Sequence, residues 1–273
     1  MKLLTLAANV CAVFSSNDNG MLRTVQKVKN DEARDVVTTL DQRLHDIAAS
    51  FVRNNLPGCK LMSEEDENTS SAVSVLAQGE WLVVDPLDGS HNYALKMPGY
   101  GFMSAHVIDG KVEGSVVVLP EHGLYFVLEA DELLVSQPFA RSTATPSGSV
   151  YYAYPPKLEG AGLESRSQLT ELIDNRTSGL YRYGSACVGL YNLIRGKHYA
   201  FIGHGIRIWD ALAYFPLLDH FGIFASYHIG PSGLTLIASY NQGFIEESCG
   251  IIAQTENTAF SRLTQDYKLV ISK

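Results

Sequence analysis

The residues best suited to chemistry gather in segment 81–93, WLVVDPLDGSHNY, where an apolar run halts at two acids, Asp85 and Asp88, followed by Gly89 and Ser90. Two carboxylates at one strand end repel each other. A divalent cation between them relieves the repulsion, and hard oxygen donors of this kind suit Mg²⁺, Ca²⁺ or Mn²⁺. Glu64 and Glu65 lie upstream and Asp210 follows Trp209 after another apolar stretch, so separate acidic clusters could complete a carboxylate cage. The competing reading is a solvated turn, because Asp, Pro and Gly are ordinary turn formers.

Several elements must position these side chains. Residues 81–84, aromatic and β-branched, read as a buried strand. Pro86 cannot donate to a ladder and is expected to end it, leaving Asp85 at the strand's lip and Asp88 returned beside it by a turn that Gly89 closes. Segment 41–54 places Leu44, Ile47, Ala48, Phe51 and Val52 on one helical face, with Asp41 at its start in the position of an N-cap. Residues 60–62 form a short strand leading into Ser63, Glu64 and Glu65, and 66–71 a polar loop. The runs 101–119 and 124–128, broken at Asp109-Gly110 and at 120–123, read as an antiparallel meander.

Segment 136–149, rich in Ser, Thr and Pro, is the boundary candidate. It separates an N-terminal α+β half, 1–140, carrying the acidic motif from an alternating C-terminal half, 141–273. That half reads as strand 150–154, helix 166–175, strand 181–183, helix 186–195, strand 199–202, helix 209–218, strands 222–227 and 235–240, and a last helix 256–267. Gly184 and Ser185 before a helix offer backbone N–H groups to a phosphate, or only a serine cap. Asp210 in a first helical turn suits the helix dipole as well as a metal. Residues 1–16 imitate a secretory signal, but Asn9 interrupts the apolar run, and an amphipathic helix is the expectation. The basic cluster Arg23, Lys27, Lys29 and Arg34 reads as solvated surface, or as a contribution to the active-site rim.

The chain has 273 residues, 46% hydrophobic and 18% charged, which is globular composition. A net charge of -8 excludes a broad nucleic-acid face, and no apolar run reaches membrane-span length, so small molecules are the expected partners. Cys11, Cys59, Cys187 and Cys249 form no C-x-x-C pair, fitting neither a zinc site nor a disulfide framework; a reducing, cytoplasmic compartment is expected.

DPLDGS resembles the DPIDGT signature of the lithium-sensitive, Mg²⁺-dependent phosphatases: inositol monophosphatases, 3′(2′),5′-bisphosphate nucleotidases and fructose-1,6-bisphosphatases. Asp35, Val36, Val37, Thr38, Thr39, Leu40 and Asp41 are similar to that family's D-x-V-T-x-x-D. Ser63, Glu64 and Glu65 are similar to its G-E-E, Gly184, Ser185 and Ala186 to its G-S/T-A, and Trp209 and Asp210 to its WD, all in the family's order. The resemblance implies an αβαβα sandwich and two or three Mg²⁺ ions. Glu65, Asp85 and the Leu87 carbonyl would hold one ion, and Asp85, Asp88 and Asp210 a second. Glu65 and Ser90 would orient the attacking water, with Asp41 as a third-ion ligand or supporting base, and Gly89, Ser90, Gly184, Ser185 and Ala186 would hold the phosphate of a small-molecule ester. A homodimer is the expected assembly.

Departures from the pattern are Ser63 for Gly, Ser90 for Thr, and the bulky Tyr214 and Phe215 after WD. In inositol-preferring relatives an acid six positions before the WD tryptophan binds sugar hydroxyls; here Gly203 stands there, and Arg207 lies just before Ile208 and Trp209. A bisphosphorylated nucleotide is therefore the favoured substrate, with inositol phosphate or a sugar bisphosphate as the alternative. A haloacid-dehalogenase-type phosphatase is disfavoured because its acids stand two apart, and a catalytically inactive binding protein because every family acid is present. No P-loop spacing occurs.

Overall fold

Apolar runs at 60–63 and along 80–135 build a six-stranded sheet in the order β3-β4-β5-β6-β7-β8. Its strands are β3 (Lys60–Ser63), β4 (Glu80–Asp88), β5 (Gly101–Ile108), β6 (Lys111–Leu119), β7 (Leu124–Glu129) and β8 (Glu132–Val135). β3 pairs with β4 in parallel, and the antiparallel meander expected for β5 to β7 extends to β4 and β8 on its two sides. Earlier in the chain lie α1 (Leu3–Ser15), the two-stranded ribbon β1 (Val25–Val28) and β2 (Val36–Thr38), and α2 (Thr39–Asn55). A short α3 (Ser90–Ala94) follows β4. This computed structural model describes residues 1–16, 24–28, 36–66, 73–141, 148–155, 159–230 and 233–270. Arg23, Lys29, Arg34, Asp35, the side chain of Lys27 and most of loop 66–71 lie outside them.

The chain divides into two compact units. The first comprises Met1–Pro138, Gly184–Val188 and Trp209–Tyr214; the second comprises Phe139–Tyr183, Gly189–Ile208 and Phe215–Lys273. In the first, α1 and α2 set Leu6, Val10, Leu44, Ala48 and Phe51 against Leu82, Val84, Phe102, Val116 and Val118. The intervening residues Val83, Met103, Val117 and Phe126 are buried too, so the central strands are apolar on both faces. Each such side chain stabilises the unit by about 1.5–3 kcal/mol through burial.

In the second unit β9 (Ser149–Ala153), β10 (Gly179–Tyr181) and β11 (Ala200–Ile206) are parallel, and β12 (Phe224–Gly230) and β13 (Gly233–Ser239) form a hairpin. The order is β10-β9-β11-β13-β12-β14, with β14 at Ser261–Arg262. Helices α4 (Gly160–Arg176) and α7 (Gln242–Glu256) pack Leu169, Ile173, Phe244 and Ile252 on Val150, Tyr152, Ile202 and Ile237. The remaining helices are α5 (Ala186–Ile194) and α6 (Phe215–His220). Among the described residues no helix is long and apolar enough to cross a membrane.

Three expectations fail for identifiable reasons. β4 runs through Pro86 to Asp88, because one extra residue is accommodated in a bulge where no ladder bond is needed from the proline. Segment 209–218 is two 3₁₀ turns, Ile208–Asp210 and Leu212–Tyr214, before α6, whose start carries Pro216. The expected helix 256–267 is absent: α7 ends at Glu256, Asn257 turns left-handed with φ 52°, and the chain leaves as the short β14.

Several buried polar groups in the second unit pair with one another. Tyr152 Oη meets His204 Nδ1 at 3.1 Å, His204 Nε2 meets Glu256 Oε1 at 2.7 Å, and Ser165 Oγ donates to the same oxygen at 2.6 Å. His198, 6% exposed, contacts Ser149 Oγ at 3.0 Å and Tyr183 Oη at 2.7 Å. Burial lowers its pKa from 6.5 to about 4. The unfolded chain therefore binds this proton at a higher pH than the folded chain does. The stability contribution is complete above about pH 6.5 and is lost as pH falls through the window down to about 4. Denaturant unfolding should show a loss of about 2 kcal/mol over that range, after discounting for partial solvent access. A His198→Gln variant should lack that part of the slope.

Candidate metal centre

Facing in a strand repeats every two residues, so acids at i and i+3 of a regular strand point to opposite faces. In β4 the bulge reverses this: Asp85 pairs with Met103 but Asp88 with Gly101, so the two acids fall on one side. Gly89 then turns the chain with φ 85° to start α3. A Cβ there would meet the Gly99 carbonyl oxygen at 2.5 Å, so any larger residue clashes with backbone.

Asp85 is 1% exposed, and its Oδ1 has no hydrogen-bond partner among the described residues. Burial, then the charges of Glu64, Asp88, Asp210 and Asp41, push its carboxyl well above the usual carboxylate range. Asp88 is better supported. Its Oδ2 accepts from Ser185 Oγ at 2.5 Å and the Cys187 N–H at 2.7 Å, and its Oδ1 from the Ala186 N–H at 3.3 Å. Burial still outweighs these bonds and raises its pKa to about 6.

Asp41 is not the N-cap of α2. Thr38 is, and Asp41 is the third helical residue of a capping box, its Oδ2 accepting the Thr38 N–H at 2.8 Å and Thr38 Oγ1 at 2.5 Å. Its Oδ1 lies 2.5 Å from Ser90 Oγ, which also lies 2.6 Å from the Leu87 carbonyl oxygen. A serine hydroxyl has one proton, so it serves one of these two acceptors at a time. Burial raises the Asp41 pKa to about 6, against the hydrogen bonds from Ser90 and Thr38 that lower it.

The structure thus brings Asp41, Asp85, Leu87, Asp88, Gly89, Ser90, Ser185, Ala186 and Asp210 into one neighbourhood of the first unit. Gly184, with φ 76°, packs on the side chain of Asn92. Glu65 is a charged neighbour of Asp41, whereas Glu64 is the largest charged influence on Asp85. Sequence reasoning singled out Glu65; the signal for Glu64 is the parallel pairing of β3 with β4, which continues with the Glu64 N–H donating to the Val84 carbonyl at 3.2 Å. The Ala186 and Cys187 N–H groups, at the site expected to receive phosphate, point to Asp88. Arg207 belongs to the second unit and is exposed just past β11.

A buried carboxylate oxygen without a partner, ringed by like charges, is costly for protein groups alone. Oxygen-only donors fit a hard divalent cation. The carboxylates and the Leu87 carbonyl supply such a donor set.

Comparison with known proteins agrees with this chemistry. A model of the inositol monophosphatase family matches residues 4–268. The Nus factor SuhB of Pseudomonas aeruginosa is 26% identical over 206 residues, 69% of this chain and 71% of that protein. Inositol monophosphatase 2 of Rattus norvegicus is 26% identical over 190 residues, 66% of this chain and 64% of that protein. A solved IMPase/NADP phosphatase complexed with NADP and Ca²⁺ superposes with a TM-score of 0.70 at 14% identity, covering 92% of each chain. The likeness shows the mixed α+β sandwich fold expected from the sequence. With a family model matched along almost its whole length, the chain belongs to the inositol monophosphatase family, whose members are metal-dependent phosphatases that hydrolyse phosphomonoesters.

Proposed function

We propose that the chain is a Mg²⁺-dependent phosphomonoesterase of small phosphorylated metabolites, with a 3′(2′),5′-bisphosphate nucleotide as the favoured substrate. The observation that carries the metal dependence is Asp85 Oδ1, buried and unpaired beside other carboxylates. Asp85, Leu87 and Glu65 or Glu64 would hold one ion, and Asp85, Asp88 and Asp210 another. When bound, the cations supply charge neutralisation of the ester, acidification of a water and stabilisation of the leaving alkoxide. The chain's own part is positional. Ser90 and Asp41, 2.5 Å apart, form a donor and acceptor pair able to orient a water and take its proton. The start of α5 offers N–H groups for phosphate once Asp88 turns toward an ion.

Gly203 supports the substrate reading. A Cβ there would meet Ile206 Cδ1 at 2.6 Å and Phe201 Cε1 at 2.9 Å, so an acid cannot be accommodated without repacking. Lacking that acceptor, inositol hydroxyls lose about 1–3 kcal/mol. Arg207, three residues before Asp210 in the chain, could pair a second phosphate in bidentate fashion. The NADP-bound relative is compatible with a nucleotide substrate. Inositol monophosphatase 2 favours the second reading, an inositol or sugar phosphate. A binding role without catalysis, which the Nus factor relative brings to mind, predicts no turnover at all.

Hydrolysis should require Mg²⁺, stop in excess chelator and be inhibited by Li⁺; Asp210→Asn should slow it by at least about 10³-fold, about 4 kcal/mol. Full activity in chelator excludes this reading. The specificity arm compares kcat/KM for 3′-phosphoadenosine 5′-phosphate, fructose 1,6-bisphosphate and inositol 1-phosphate, with Arg207→Ala expected to lower the first selectively. Preference for inositol 1-phosphate would overturn the nucleotide assignment and leave the phosphatase intact. A calorimetric test needs no substrate. Mg²⁺ at about a hundred times its Kd should stabilise the wild type by about 3 kcal/mol, and Asp85→Asn should match or exceed the metal-free wild type in Tm while losing that response.

A further inference from the structure

A different donor set lies at the opposite end of β4 from the bulge. Cys59 immediately precedes β3, Glu80 opens β4, and His106 lies on β5 directly across from Leu82. Glu80 and Leu82 are two apart and share a face, which is also the face of His106. One donor atom from each of Cys59, Glu80 and His106 lies within 4.8 Å of the other two. His106 Nε2 and Glu80 Oε1 are already 2.7 Å apart. Their side chains are 15% and 33% exposed, so the cluster is reachable from solvent without being dispersed in it.

The sulfur sits at the edge of the core. Cys59 packs against the apolar core formed with α1 and α2, and its thiol donates to the Lys60 carbonyl oxygen at 3.5 Å. A bound cation would take the place of that proton. Without a cation the thiol is disfavoured as an anion: burial first, then the charge of Glu80, push its pKa up to about 12. A cation at the cluster would reverse the second effect by compensating both anions. Lys60, the nearest basic residue in sequence, does not fill this role, because its Nζ sits over the Trp81 ring at 5.1 Å, and Trp81 alternates to the other face from Leu82.

We propose that Cys59, Glu80 and His106 form a binding site for a borderline-soft divalent cation of the Zn²⁺ class, distinct from the carboxylate centre. Thiolate, imidazole and carboxylate together select Zn²⁺ or Co²⁺ over Mg²⁺, and three protein ligands leave a fourth position for water. Binding releases the thiol proton, and His106 presents a bare Nε2 to the ion by carrying its proton on Nδ1, its contact with Glu80 opening slightly to admit the ion. The ion links β3, β4 and β5 across their registers. The absence of a C-x-x-C pair hides such a site from the sequence, because its ligands come from three strands rather than one turn.

Co²⁺ tests this directly, added to the full chain in excess Mg²⁺ so that oxygen-only sites are saturated. The expected result is a near-ultraviolet thiolate-to-Co²⁺ charge-transfer band that saturates at one equivalent and is abolished by added Zn²⁺. Cys59→Ser should eliminate the band, His106→Ala should weaken Co²⁺ binding at least about tenfold, and Cys11→Ser and Cys249→Ser should leave it unchanged. No band in the wild type, or a band that survives Cys59→Ser, overturns the proposal. Should Cys59→Ser fail to match the wild-type circular dichroism, alkylation of the wild type decides instead. Zn²⁺ should protect Cys59 from iodoacetamide as read by peptide mass, and alkylation at an unchanged rate in saturating Zn²⁺ overturns the site.

Discussion

The first unit is organised around a repulsion. Asp85 is buried with its Oδ1 unpaired, and four other carboxylates, Glu64, Asp88, Asp210 and Asp41, act on it. Left to themselves, charged groups in such a place would separate or take up protons. The frame forbids the first. Asp85 is fixed in β4 between Val84 and Leu87, both buried, Asp41 is locked by Thr38 at the start of α2, and Asp88 is clamped by Ser185 and the first N–H groups of α5. Apolar packing of α1 and α2 on the sheet supplies the stability against which this local cost is set.

Buried polarity takes two contrasting forms in this chain. Each unit has a six-stranded sheet and helices with interlocking apolar faces. In the second, His204, Glu256, Ser165 and Tyr152 complete one another's hydrogen bonds, and hydrogen bonds to His204 and Ser165 hold the Glu256 carboxyl below its usual range despite burial. That network reads as structural, since satisfied polar groups in a core rigidify it. The carboxylate cluster of the first unit is the contrary case, with an acceptor left over. A buried carboxylate set among like charges is a better guide to chemistry than a completed network.

Much of this was legible in the chain itself, where the relation is local. The acidic motifs, the apolar face of α2, the meander of β5 to β7 and the turn at Asp109-Gly110 each follow from residue types within a few positions. Relations that depend on pairing were not. Pro86 reads as a terminator in the sequence because the bulge that tolerates it exists only opposite β5. Asp41 reads as the N-cap because Thr38 belongs by residue type to a strand, although its hydroxyl caps the helix. Glu64 and Glu65 cannot be told apart by sequence alone; the register of β3 on β4 assigns them different neighbours.

The bulge has a consequence for how this segment can vary. Facing parity along β4 is set by the number of residues between Asp85 and Asp88, while Pro86 and Leu87 contribute little to it through their own side chains. Deleting either residue would turn Asp88 away from Asp85 and shift Gly89 from the close approach to Gly99 that fixes the start of α3. Replacing Pro86 with another residue leaves the count, and therefore the facing, unchanged. The segment is thus intolerant in length: among descendants of this chain, a change at Pro86 can be kept while insertions and deletions are eliminated.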